Sequence, residues 1–183
     1  MESFFDYKWT NYKNIGLVGD ENEAIMAQLP VFYKIRIIRD FLFCEFLHKF
    51  KKTFDIPNYD CKNKHARYTW YNEEYYNFMF DMLTKLEPRM EEKNTVLFDE
   101  NEEVNEVIFF DFGHYGVGFE INKKLKVAVV VNVPTVIGAY ELTMYHRTEY
   151  VYKTLKTRCT GFFIRRRNWK ALFALHPAIA DEM

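Results

Sequence analysis

Residues 115–133 read YGVGFEINKKLKVAVVVNV, and this stretch decides the fold class. Tyr115, Val117, Phe119 and Ile121 alternate with Gly116, Gly118 and Glu120, the two-residue period of a strand with one buried face. Asn122-Lys123-Lys124 supplies a turn, and residues 125–133 supply a second strand. Working outward, residues 107–112 and 161–165 are further strand candidates. Pro134 and Gly138 break the chain before residues 139–145, where Tyr140, Leu142 and Met144 alternate with Glu141, Thr143 and Tyr145. Residues 146–158 fit either state: their Tyr and Val content favours strand, while Thr148, Tyr152 and Leu155 also match a helical period.

Upstream the period changes to that of a helix. Pro30 suits a first helical turn, where its missing N–H is no loss. Ile35, Ile38, Phe41 and Leu42, then Phe46 and Phe50, recur at helical spacing to about residue 54, and Ile56-Pro57 ends the run. A second helix is expected over about 72–86, with Asn72 as N-cap and Glu73 and Glu74 at the positive end of its dipole. Tyr76, Met79, Leu83 and Leu86 form its inner stripe, and Pro88 should end or kink it. Asn168 suits the cap of a short terminal helix ending before Pro177. The order predicts an α+β fold: N-terminal helices packed on one face of a C-terminal antiparallel β-meander, in two layers. Residues 1–183 are expected to form a single domain, helical over about 21–92 and β-rich over about 95–176.

Composition narrows the chemistry. The 183 residues are 49% hydrophobic with a net charge of −1, which excludes a disordered chain and a globally basic nucleic-acid binder. The only serine is Ser3, so a Ser-His-Asp hydrolase is excluded in practice. Cys44, Cys61 and Cys159 are odd in number and far apart; they make no disulfide framework and fit a reducing, cytoplasmic setting. The N-terminus lacks the pattern of a secretory signal, and no run approaches the ~20 apolar residues of a membrane span. Aromatic content of 19% with few glycines is a usage common in viral genomes, an association rather than a mechanism.

Charge is unevenly spread. Residues 81–120 hold eleven acidic side chains against three basic ones, whereas residues 121–183 hold eleven basic against four acidic. Lys153, Lys156, Arg158, Arg165, Arg166, Arg167 and Lys170 are interleaved with Tyr150, Tyr152, Phe163 and Trp169. Guanidinium forks suit phosphate and aromatic faces suit unpaired bases, so this segment could form a groove for nucleic acid; a solvated sheet edge is the blander alternative. On a strand, Arg165 and Arg167 would face one way and Arg166 the other. The same alternation puts Glu120, Lys126, Asn132, Glu141, Thr143, Tyr145 and Arg147 on the outward face of the sheet.

Other constellations are weaker. Asp111, His114 and Glu120 surround Gly113-His114-Tyr115-Gly116 and could serve as metal or acid–base groups, although Glu120-Ile121-Asn122-Lys123 is one residue longer than a Glu-x-Lys nuclease pattern. Glu45 and His48 have the spacing of a di-iron helix without the companion motifs, and Lys49 is the expected structural partner of Glu45. Cys61 and His65 lack a second pair of zinc ligands. Residues 99–106 lack the ligand order of a calcium loop. Cys159 lies among Lys156, Arg158 and Arg165, cations that would activate a thiol if close.

The expected function is that of a non-enzymatic macromolecule-binding protein, in the manner of a viral accessory factor. It would grip another protein or a nucleic acid through the polar sheet face and the basic segment, as a possible homo-oligomer, without cofactor, metal or membrane. A metal-dependent enzyme acting on nucleic acid or nucleotides through Asp111, His114 and Glu120 is the alternative, and a structural subunit of an assembly is the third reading.

Overall fold

The computed structural model describes residues 2–17, 20–58, 66–122 and 124–183. Its helices are α1 (Glu2–Asn11), α2 (Asp20–Gln28), α3 (Val31–Arg36), α4 (Cys44–Lys49), α5 (Glu73–Thr84), α6 (Ala139–Met144), α7 (Arg166–Leu175) and α8 (Pro177–Ala180). Its strands are β1 (Glu87–Glu91), β2 (Val96–Phe98), β3 (Glu106–Phe112), β4 (His114–Ile121), β5 (Lys124–Asn132), β6 (Thr135–Ile137), β7 (Val151–Thr154) and β8 (Cys159–Arg165). The chain forms two compact units. One is Met1–Asn11 with Glu87–Arg167; the other is Tyr12–Leu86 with Asn168–Met183.

The first unit holds the eight strands of the described residues in two four-stranded sheets, ordered β1-β8-β3-β6 and β2-β7-β4-β5, and each of these pairings is antiparallel. The α+β class and the antiparallel pairing agree with the sequence. The meander does not: among the described residues only β4 and β5 pair as consecutive strands. This order is that of a jelly roll. Alternation specifies that a segment is a strand and which residues share a face; it carries no information on which strand lies alongside. β3 sits between two neighbours, and Val107, Ile108, Phe109 and Phe110 are buried on both of its faces. Where β8 crosses β3, a Cβ on Gly161 would fall 2.0 Å from the Phe109 carbonyl oxygen, so the close approach requires glycine. Pro88, expected to stop a helix, instead lies in β1 at the margin of its sheet, where a missing N–H costs no ladder bond.

Two other expectations are corrected here. Residues 139–145 are not a strand. Gly138 (φ 83°) and Tyr145 (φ 58°) bracket the single short helix α6, and only Leu142 of the alternating trio is buried. The arginine run does not alternate on a strand either: Arg165 ends β8, and Arg166 and Arg167 begin α7. The undecided segment 146–158 contains β7. The Cys61 and His65 pair falls outside the described residues.

The second unit is helical. The run predicted as one helix from Pro30 is α3, a π-helical turn (Ile37–Leu42) and α4. The Phe43 N–H donates to the Ile38 carbonyl (2.9 Å), five residues back, and this extra residue rotates everything downstream. Phe41 is consequently 73% exposed and Phe43 only 2%. Phe46 then meets Phe50 and Phe54 with ring centroids 4.9 and 6.0 Å apart. Glu45, placed by unbroken helical spacing among the apolar residues, is exposed instead. α5 buries Tyr75, Tyr76, Phe78, Met79, Met82 and Leu83. Asn72 precedes α5 as expected, but its side chain accepts from the Thr69 N–H (2.9 Å) and hydroxyl (3.1 Å). At the other end, the Asn14 amide donates to the Thr84 (3.1 Å) and Leu86 (2.6 Å) carbonyls, two acceptors that a helix end leaves open.

The rotated register has a direct check. Phe43→Ala should destabilise the protein by about 3–5 kcal/mol, and Phe41→Ala by less than about 0.5 kcal/mol, in paired chemical denaturation experiments. Continuous helical spacing would reverse that ranking.

Candidate functional site

The segment joining β6 to β7 is fastened at several points to neighbouring parts of the roll. Gly138 turns the chain at positive φ, and a Cβ there would lie 2.5 Å from the Glu106 carbonyl oxygen. α6 follows, and the His146 N–H closes onto the Glu141 carbonyl (2.9 Å). Thr148, 1% exposed, then fastens the segment to the acidic loop after β2. Its N–H donates to the Glu102 carbonyl (3.0 Å), its carbonyl accepts from Asn101 N–H (2.8 Å), and its hydroxyl donates to the Asp99 carbonyl. Arg147 forms a backbone bridge with Glu103, and its Nη1 donates to the Asn101 carbonyl (3.2 Å).

These contacts enclose a cleft of about 160 Å³, lined by Glu103, Glu141, Tyr145, His146, Arg147 and Arg166 together with Val104 and Leu142. Arg166 is paired with Glu103 across it. Glu141 joins the cleft to the interior of the roll, because the Tyr152 hydroxyl donates to its Oε1 (3.4 Å). The Tyr152 ring lies 6.0 Å from Phe98 and 6.2 Å from Tyr115, and Tyr115 lies 6.0 Å from Phe110 of the facing sheet. Tyr115 therefore marks the inner face of β4, and strand alternation puts Val117 and Phe119 on that face with it. Register adds Val129 opposite Val117. Yet Phe119 is 45% and Val129 57% exposed, so the inner face is filled near Tyr115 and uncovered towards the β4–β5 turn. A partly open apolar face thus adjoins a cleft carrying carboxylates and guanidinium groups.

Of the binding residues expected from sequence, Tyr145, Arg147 and Arg166 line this cleft. Glu141, Thr143 and Tyr145 lie on or beside α6 rather than on a sheet face. Arg165 makes a two-pronged bond to Glu87 (2.7 and 2.9 Å). Lys156, Arg158 and Arg167 are exposed, Lys153 is half-buried in β7, and Lys170 is half-buried in α7. Trp169 is buried against Phe173 at 4.8 Å, so its ring is no stacking platform. Asp111 accepts from the Thr160 hydroxyl (3.4 Å), His114 Nδ1 lies 3.5 Å from the Thr157 hydroxyl, and the Glu120 N–H donates to Glu100 (2.7 Å). No three metal-ligating side chains gather among the described residues. The Cys159 thiol is not activated: burial pushes its pKa up. The role of Glu141 in this cleft was missed because alternation placed it on a strand; Gly138 followed by a short amphipathic stretch is the signal that could have found it.

No protein-family model and no curated protein matches the chain. Its fold does have counterparts among solved structures. The regulatory domain of Toxoplasma gondii PKA, co-crystallised with cAMP, matches with a TM-score of 0.50 at 14% identity, covering 57% of this chain and 39% of that one. The C-linker/CNBHD of zELK channels, crystallised in the presence of cAMP, matches with a TM-score of 0.51 at 16% identity, covering 62% and 58%. The chain spans less than two thirds of either, and the likeness is one of fold. It overturns the macromolecule-gripping reading, with its viral accessory role, enzymatic alternative and structural-subunit variant: the supposed outer sheet face is partly a helix, and the roll is built like regulatory domains crystallised with a small ligand. No helix among the described residues is long and apolar enough to cross a membrane.

The Tyr152 hydroxyl reports on the cleft. Burial, and then the Glu141 carboxylate, push its pKa from the ordinary 10.0 up to about 12. A folded pKa above the unfolded one means that the neutral phenol stabilises the fold. That contribution is complete below pH 10.0 and is lost as pH rises towards 12. Tyr152→Phe should therefore flatten the fall of stability with pH across this interval, measured by denaturation at a series of alkaline pH values.

Proposed function

We propose that the β-roll is a ligand-sensing regulatory domain whose ligand is a cyclic nucleotide. The observation that carries the reading is the β6–α6–β7 connection, whose Arg147 and Glu141 line one cleft, with Glu141 joined through Tyr152 to a partly uncovered apolar face. A cyclic nucleotide has three parts with matching needs. Its phosphate anion would take the Arg147 guanidinium, which can donate two parallel bonds. Its ribose hydroxyl would donate to Glu141, in place of or alongside Tyr152. Its base would lie over Val117, Phe119 and Val129, removing apolar surface from water. Tyr145 and Arg166 line the same cleft and would complete the polar end.

Two further features support the reading. The segment carrying Arg147 is tied through Thr148 to the loop after β2, so engagement of a phosphate there would be felt by a second connection of the roll. The fold counterparts crystallised with cAMP point in the same direction. A protein partner regulated by ligand occupancy is in keeping with such a domain.

Isothermal titration of the whole chain with 3′,5′-cyclic AMP and cyclic GMP tests the reading. Saturable binding is expected, with the open-chain 5′-monophosphate bound more weakly. Arg147→Ala should weaken binding about 10- to 100-fold, the worth of one or two charge-assisted hydrogen bonds. Absence of binding at millimolar cyclic nucleotide, or binding indifferent to Arg147→Ala, would overturn it.

A further inference from the structure

Glu103, Glu141, Arg147 and Arg166 carry the formal charge of the cleft, and the way they are paired limits the anion it can take. Arg166 is bound to the Glu103 carboxylate, and both ends of that pair are positioned by backbone contacts. The Arg166 N–H donates to the Asn105 carbonyl (2.7 Å), and Glu103 forms the backbone bridge with Arg147. The Arg166 charge is therefore matched before any ligand arrives. Arg147 differs. Its Nη1 meets the neutral Asn101 carbonyl (3.2 Å), and among the described residues it pairs with no carboxylate. Glu141 faces the Tyr152 hydroxyl (3.4 Å), a neutral donor that leaves the carboxylate charge in place. One uncommitted guanidinium beside two carboxylates can balance one negative charge on a ligand and no more.

We infer that Glu103 makes this cleft selective for a singly charged phosphodiester over a doubly charged phosphate monoester, by holding the Arg166 guanidinium neutralised. The inference rests on the cyclic-nucleotide reading and adds the residue that tells the ring-closed ligand from its ring-opened form. The two forms share base and sugar, so apolar contact over Val117, Phe119 and Val129 does not separate them. They differ in the charge on phosphorus-bound oxygen. A cleft of about 160 Å³ is narrower than the roughly 8 Å over which physiological salt screens a charge. The second charge of a monoester would thus stand within the field of both carboxylates and meet no uncommitted cation. Released from Glu103, Arg166 would supply the missing donor fork, and the monoester would gain most from it.

Isothermal titration at pH 8, where a phosphate monoester carries two charges, compares 3′,5′-cyclic AMP with 5′-AMP on the whole chain and on three variants. Glu103→Gln should strengthen 5′-AMP binding about tenfold and cyclic AMP binding about threefold at most, narrowing the preference between them. Arg166→Gln leaves the Glu103 charge unmatched and should widen the preference. The double variant restores the charge balance and should return the preference to its wild-type value, a pattern that mere loss of structure does not produce. Thermal unfolding of each variant shows that it is folded, and either single variant compared with wild type is decisive because the two move in opposite directions. A preference unchanged by Glu103→Gln or by Arg166→Gln overturns the inference and leaves cyclic-nucleotide binding standing. Equal binding of the two nucleotides by the wild-type chain also overturns it. Binding of neither at millimolar concentration overturns the cyclic-nucleotide reading and this inference with it.

Discussion

The buried hydroxyl and backbone of Thr148 hold the segment after α6 and the loop after β2 together. This one residue engages Asp99, Asn101 and Glu102 at once, and so converts two connections distant in sequence into one piece. A loop of Asp and Glu would otherwise repel itself and remain solvated. Anchored on Thr148, it instead presents Glu103 to Arg166 and the Asn101 carbonyl to Arg147. The position of Arg147 is therefore a consequence of the buried threonine next to it in sequence.

The uneven charge of the chain resolves in the same way. Arg89 reaches Glu91 and Glu106, Arg165 reaches Glu87, and Arg166 reaches Glu103. The acidic stretch and the basic stretch are neighbours in the folded unit, and much of the apparent polarity of the sequence cancels in space. Phe163 lies between two of these cations, with Arg89 and Arg165 at 5.2 and 6.0 Å from its ring. The result is a laced sheet surface, where each pair is worth little alone and the network keeps long side chains ordered.

What could be seen in the sequence, and what could not, divides along physical lines. The strand around Tyr115 announces itself because a period of two survives any rearrangement of neighbours, and those around Phe109, Val129 and Phe162 stand out only as short apolar runs. α5 is equally clear, since its stripe is uninterrupted. Sheet order was hidden, because pairing of β1 with β8 or β2 with β7 depends on contacts more than fifty residues apart. The π-helical turn was hidden too: one inserted hydrogen-bond step exchanges Phe41 for Phe43 without altering composition. The arginine run misled for a related reason, as its partners Glu87 and Glu103 lie 78 and 63 residues away. Of the candidate cleft, Tyr145, Arg147 and Arg166 were named from charge and aromatic character, whereas Glu141 needed the helix.

Of the four border strands, β1, β6, β2 and β5, the first and the last are not alike. β1 carries Pro88, Arg89 and Glu91, a lost donor and two charges, and such a border discourages any further strand from joining. β5 is one border of the other sheet, and Val127, Ala128, Val129 and Val130 lie along it with no charge or proline among them. Heating or crowding would therefore attack the molecule from one side. Misassembly would begin at the valine border while the proline border stayed intact, and a single lysine introduced there would act as a gatekeeper for the whole domain.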